Sequence, residues 1–332
     1  MGNQFSIFYL KMFTFILVVY IADFSVGNVL KYFYFKQNSG FQYRTTYAMQ
    51  QTNADFLIFG SSRASHHYNP EIIENSLNLS CYNVGRDGSY IFYHTALLKV
   101  ILNRYLPKII ILDLVKGEFR QERESYDRIS NLLPYYDSYP EIHSIIELRN
   151  SYEKIKLCSK IYPYNSDILS IAIGNTEFNK GRWIDIKGFS PWYKTMDCPE
   201  KIDTSFFNTK IDNVKVSQYE NFIKECKYKG ILLYIVVSPY YLISDITDNS
   251  IKISKDLAGK YNIKHFDFSQ DTTFKLKCSL FGDLTHLNIE GTRIFTQKVI
   301  EKIIKDNQLN MQYTKNKREG VISAISSLDG MH

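Results

Sequence analysis

The sequence predicts an α/β fold: a parallel five-stranded sheet with helices on both faces, preceded by one N-terminal transmembrane helix. Three observations lead there. Short apolar runs of strand length recur five times, segments with helical spacing lie between them, and a nearly uncharged apolar stretch, Met12 to Leu30, stands near the start. Strands alternating with helices imply βαβ units, and hence a sheet buried on both faces. A chain of 332 residues has ample length to bury such a core.

The elements follow in order. "MFTFILVVYIADFSVGNVL" carries Asp23 as its one charge, and it has about the ~20 residues needed to cross a bilayer. No small-residue cleavage site follows, so residues 1–35 read as a retained anchor; a buried N-terminal helix is the alternative. Lys11 before the stretch and Lys31 and Lys36 after it leave its orientation open. Asp23 would be costly against lipid and is expected to face a partner helix. The polar residues 36–53 read as a connector. "DFLIFG" is the first strand, and "NPEIIENSLN" a helix opened by Asn69 and Pro70. "SCYNVG" is a second strand and residues 89–106 a helix stopped by Pro107, followed by "KIIILDLV", a strand apolar on both faces. Residues 119–210, rich in Tyr, Ser, Asn and Asp, break the rhythm and read as an insertion or cap. A helix over 212–229 then leads into "ILLYIVVSP", a helix over 250–260 into "KHFDFS", and a last helix spans 288–306. Residues 36–310 thus form the α/β domain, and the polar tail 311–332 is expected to be disordered.

Charge and cysteines narrow the function. The net charge of +6 is spread along the chain, with no basic block before the last ~20 residues, which argues against a nucleic-acid partner. The five cysteines show no CxxC spacing, so neither a zinc site nor a redox motif is expected, and no metal or cofactor. An odd, scattered set does not read as a disulfide framework. Cys81 and Cys226 fall on apolar patterns and are expected in the core.

In parallel sheets, functional residues collect at the carboxyl ends of the strands. Ser61 and Ser62 stand there, after "FLIFG". Near the other end of the chain, Asp283 and His286 lie three apart in "GDLTHLN". A histidine serves as general base on a serine when a carboxylate fixes its tautomer. Ser62 capping the following helix, and Ser61 as the nucleophile, are the competing readings. Between these pieces lies "NVGRDG", Asn83 to Gly88.

The order and spacing of "GSS", "NVGRDG" and "GDLTH" resemble the SGNH (GDSL-like) hydrolase superfamily, over roughly 54–118 and 212–306. The resemblance implies a flavodoxin-like three-layer αβα sandwich. It implies Ser62 as nucleophile, His286 as base, Asp283 as the carboxylate that orients it, and backbone N–H groups of Ser62 and Gly88 as oxyanion donors. Arg63, Asn83, Trp183 and Trp192 are candidate substrate contacts, the two tryptophans as a sugar platform. The family's third block usually reads Gly-x-Asn-Asp; here Gly117 and Glu118 stand about where Asn and Asp would be. The missing Asn removes an oxyanion donor of a kind worth about 2.7–4 kcal/mol, for which Lys116 or Arg63 are the candidate substitutes. His66 and His67 are expected as loop residues or at best substrate contacts, Asp87 as part of a turn, Asp113 as a buried hydrogen-bonding residue, and Arg63 otherwise as a solvated or salt-bridged surface residue.

Anchor and domain together are similar to membrane-tethered proteins of that superfamily that modify cell-envelope polymers, among them alginate O-acetylation and teichoic-acid D-alanylation proteins. The resemblance implies a single-pass membrane protein with an extracytoplasmic domain beside a multi-spanning O-acyltransferase. The implied activity is transfer of an acyl group, commonly acetyl, to an envelope or exported polysaccharide, or hydrolysis of such an ester. A plain esterase and a non-catalytic binding or scaffold protein are the alternatives.

Overall fold

Five strands pair in parallel in the order β2-β1-β3-β4-β5: β1 Phe56–Phe59, β2 Cys81–Asn83, β3 Ile109–Asp113, β4 Leu232–Val237 and β5 Lys264–Asp267. The structure, a computed structural model, describes residues 2–176, 185–198, 210–242 and 249–306. Trp183, the tail 311–332 and parts of the insertion lie outside the described residues. The strand order is that of the flavodoxin-like doubly wound sheet, in which ligands sit beyond the carboxyl ends of the strands.

Side-chain alternation along each strand divides the core into two layers. Leu57, Phe59, Ile110, Leu112, Leu233 and Ile235 face one layer, which is closed by α5 (Ile91–Leu102) and α6 (Asn213–Tyr228). Phe56, Ile58, Ile109, Ile111, Tyr234 and Val236 face the other, with α3 (Ser62–His67), α4 (Pro70–Leu77) and the last helix, α8, over 289–306. Another helix, α7 (Asn249–Tyr261), precedes β5. Asn69 caps α4 by accepting from the Glu71 N–H at 2.9 Å, with Pro70 at the first helical position.

Two expectations about the N-terminal part are corrected. The stretch read as a connector contains helix α2, Gly40–Gln50, with Arg44, Thr45, Thr46, Ala48 and Met49 buried. The preceding helix, α1, runs over Gly2–Lys36 and is long and apolar enough to cross a membrane. Asp23 does not wait for a partner helix. Its carboxylate accepts from the Ser159 hydroxyl at 2.5 Å and from the Lys160 N–H at 2.7 Å. From there on one side of α1 lies against the insertion: Gly27 meets Lys160, and Tyr34 is 2% exposed between Tyr135 and Tyr164.

Candidate active site

Strand β1 ends at Phe59, and the chain must turn sharply to bring the next side chains to the sheet's rim. Gly60 makes that turn at φ +146, where a Cβ would lie 2.8 Å from the Ala64 Cβ and 2.9 Å from the Asp113 carbonyl. Ser61 precedes α3 and Ser62 is its first residue. The Ser62 Oγ lies 2.7 Å from His286 Nε2, and His286 Nδ1 lies 2.8 Å from an oxygen of Asp283. With the proton on Nδ1 toward the carboxylate, Nε2 is left to accept the serine proton. The other Asp283 oxygen accepts from the backbone N–H groups of Thr285 and His286, each at 2.7 Å. Partial burial works to raise the Asp283 pKa, but the ring N–H and these two N–H groups outweigh it and hold the carboxyl well below the usual carboxylate range. Residues 224 apart in sequence are thereby joined in one hydrogen-bonded chain.

Gly88, with φ +64, lines the same cavity of about 430 Å³ as Ser62 and His286. Among the described residues no backbone carbonyl engages the N–H of Ser62 or of Gly88. A larger cavity of about 500 Å³, between Tyr43, Tyr47 and Tyr82, contains none of these groups.

Other sequence-derived assignments change. Asn83 is not a substrate contact: it is fully buried, donates to the carbonyls of Ala64 (2.7 Å) and Tyr68 (3.2 Å), and accepts from the Gly85 N–H. Its amide locks α3 to the loop that carries Gly88. Arg63 is not solvated but 2% exposed. Its guanidinium donates to the Ser238 hydroxyl and the Pro239 carbonyl and stacks 3.4 Å from the Tyr240 ring centroid. Trp192 lies nearly parallel to the His286 ring, at 5.1 Å and 19°, so its neighbour is that imidazole. Gly282 makes room for it, since a Cβ there would come within 2.8 Å of the indole. Asp113, at the end of β3, accepts from the Tyr68 hydroxyl at 2.5 Å. Glu118 is buried away from solvent and accepts from the Ile91 N–H at the start of α5.

His66 and His67 are not loop residues, since both belong to α3. His66 Nδ1 donates to the Ser190 carbonyl at 2.6 Å, and Nε2 lies 3.0 Å from Asp87, tying α3 to the residue before Gly88. Asp87 is therefore more than a turn residue. Burial works against its charge, but the hydrogen bond from His66 keeps its pKa below the ordinary value. His67 Nε2 accepts from the Leu287 N–H at 3.0 Å, which anchors the His286 loop to α3. Burial, then the nearby charges of Arg63, His286 and His66, push the His67 pKa well down, so the ring is neutral.

Two further supports escaped the sequence reading. Arg44 of α2 donates to the Ser190 hydroxyl (3.0 Å), the Gly85 carbonyl (3.0 Å) and the Gly188 carbonyl, joining residues 185–190 to the Gly88 loop. The cysteines do include a disulfide: Cys198 is bonded to Cys278, across 80 residues. It fastens the Trp192 segment to the loop that leads into Asp283. The only sequence signals for these features were a charge in a polar stretch and an odd cysteine count, and neither specifies a partner.

No family model matches the chain, and no curated protein matches it in sequence. Among solved structures it is similar to a Bacteroides fragilis NCTC 9343 protein provisionally assigned as an acylhydrolase, at 12% identity and TM-score 0.34, over 77% of this chain and 95% of that one. It is also similar to the acetyl xylan esterase AlAXEase, at 12% identity and TM-score 0.37, over 75% and 99%.

Proposed function

We propose that the chain is a membrane-anchored, serine-dependent enzyme of ester chemistry, which transfers an acyl group to a polysaccharide hydroxyl or releases one to water. The observation that carries this reading is the hydrogen-bonded chain Asp283–His286–Ser62 at the wall of an open cavity. In the first step Ser62 Oγ attacks the ester carbonyl carbon while its proton passes to His286 Nε2. Negative charge develops on the carbonyl oxygen, toward which the N–H groups of Ser62 and Gly88 are the available backbone donors. The ester C–O bond then breaks, and the departing alkoxide takes the proton from His286. In the second step a sugar hydroxyl or a water gives its proton to His286 and attacks the acyl carbon; the bond from that carbon to Ser62 Oγ then breaks, and Oγ takes the proton back from His286. Asp283 keeps the imidazole oriented and offsets its positive charge throughout.

Localisation follows from two supports. The helix α1 is long and apolar enough to span a membrane, and the Cys198–Cys278 disulfide suits an oxidising compartment. We therefore place the domain on the extracytoplasmic side, beside an envelope or exported polysaccharide, with a multi-spanning O-acyltransferase as the acyl-donating partner. A tether raises the effective concentration of the serine near such a donor. Gly117 at the family's Asn position favours a second reading, a non-catalytic scaffold that retains the fold.

One experiment separates them. The full-length chain in detergent is treated with a fluorophosphonate serine probe, and the adduct is mapped by mass spectrometry. The enzyme reading expects modification of Ser62, absent from Ser62→Ala and His286→Ala. A folded protein that stays unmodified would favour the scaffold.

A further inference from the structure

The cavity beside Ser62 is built from an unusual excess of cations. Arg63, Lys116 and Arg120 line it, against one carboxylate, Glu122. That carboxylate is already engaged, since Lys215 Nζ lies 3.5 Å from it. Among the described residues, no carboxylate lies within ion-pairing distance of Lys116, Arg120 or Arg63. The carboxyl that acts most on Arg63 is Asp113, whose pKa burial raises against the opposing pull of that guanidinium. Arg63 commits Nε and Nη2 to Ser238 and Pro239 and leaves a buried Nη1 without a hydrogen-bond partner. Uncompensated cations around the cavity give it a positive potential.

Gly117 and Arg120 are neighbours in the cavity wall. Gly117 has φ +80, and a Cβ on it would lie 2.7 Å from Arg120 Nε and 2.8 Å from Cζ. The guanidinium therefore lies directly across the glycine. A side chain is strained at this φ, and one placed here would require the flexible Arg120 guanidinium to move aside. Arg120 places a permanent charge in the wall of the cavity that Ser62 and Gly88 also line.

We infer that this cavity binds an oxyanion group, carboxylate or phosphate, carried by the substrate, through Lys116 and Arg120. The inference rests on Ser62 as the reacting serine and narrows its substrates to acidic ones. The class is an ester, or an acyl acceptor, with an acidic group on the sugar that enters the cavity. Charge-assisted hydrogen bonds to carboxylate or phosphate are the strong ones, and a guanidinium holds either group by two of them.

The test measures binding apart from turnover. Full-length protein in a non-ionic detergent is titrated calorimetrically with trigalacturonate, glucose 6-phosphate and maltotriose, at low and at physiological salt. The expected result is binding of at least one acidic probe, weakened by salt, and none of the neutral trisaccharide. The preferred acidic probe identifies the anion as carboxylate or phosphate. Lys116→Gln/Arg120→Gln, with melting temperature checked, is expected to weaken that binding about tenfold or more. Equal binding of maltotriose, no binding of either acid, or unchanged affinity in the folded double variant would overturn the inference. Acid binding that depends on Lys116 and Arg120 in a protein whose Ser62 resists the fluorophosphonate supports the anion site while removing the catalytic reading.

Discussion

Asp283 is held by four donors, the Thr285 and His286 N–H groups, the Thr285 hydroxyl and the His286 ring, and they set both a kinetic and a stability expectation. Asn in its place keeps the shape and loses the charge that orients His286. Asp283→Asn is expected to lower turnover of an acyl ester on the order of 10²–10⁴-fold with little change in KM. Stability carries a sign. The folded-state pKa of Asp283 lies below its ordinary value of 3.8, so the group stabilises the fold above that pH, and the contribution is lost as pH falls through the folded-state value. Urea unfolding should find Asp283→Asn less stable than the parent at pH 7, with the gap narrowing below about pH 3.8. A gap that stays constant with pH would show that the carboxylate's hydrogen bonds contribute nothing to folding. The residues of this chain were legible in sequence because strand-end serine and Asp-x-x-His are local patterns, and the parallel fold brings strand ends together. Arg63 and Asn83 were misread for the complementary reason. Spacing names a position, and only packing decides whether a side chain turns to solvent, as assumed for Arg63, or inward, as both do.

At the level of elements, the five strands were legible because each is a short apolar run, and their alternation with helices implied a parallel sheet. Helix α2 was not. "GFQYRTTYAMQ" buries arginine and threonines, which a hydropathy reading assigns to solvent, because their partners lie far away: Arg44 with Gly85 and Ser190, Thr45 with Tyr93, Thr46 with Tyr135. The start of α5 shows a similar long-range dependence. Its Ile91 N–H is satisfied by Glu118, 27 residues on, at 2.8 Å. Burial pushes the Glu118 carboxyl up to about 7, against the pull of Lys215. Between its ordinary pKa of 4.5 and about 7 the unfolded chain sheds a proton that the folded chain keeps, so stability falls as pH rises through that window. The loss is on the order of 3 kcal/mol. Glu118→Gln retains the acceptor and removes the titration. It should flatten the stability profile between pH 5 and 8 and gain on the parent at the alkaline end. Denaturant midpoints at the two pH values check this, and parallel profiles for parent and variant would refute it.

On the scale of the molecule, the anchor and the domain are not two bodies joined by a linker. The sequence suggested an anchor over 1–35 followed by a connector, because hydropathy alone cannot tell a helix turn facing lipid from one facing its own domain. Contacts separate them. From Gln4 up to Asp23, α1 makes no buried apolar contact, and its side chains from Phe5 to Ile21 include Leu10 at 65% and Phe15 at 68% exposed. Nineteen helical residues span ~28 Å, close to the hydrocarbon thickness of a bilayer. From Asp23 onward one side of the helix belongs to the domain: Asp23 on Ser159 and Lys160, Gly27 against Lys160, Tyr34 among Tyr135 and Tyr164, and the Phe33 carbonyl accepting from Asn175. Burying one tyrosine of this kind contributes about 1.5–3 kcal/mol, and the Asp23 hydrogen bonds add to it. A soluble protein is therefore better begun at residue 23 than at residue 37. The longer chain is expected to melt several degrees higher, and the shorter one to bind a hydrophobic dye through the exposed Tyr135–Tyr164 surface. Equal melting temperatures would mean that the second half of α1 rests on the domain without stabilising it, and that the boundary between the apolar helix and the domain belongs at residue 36.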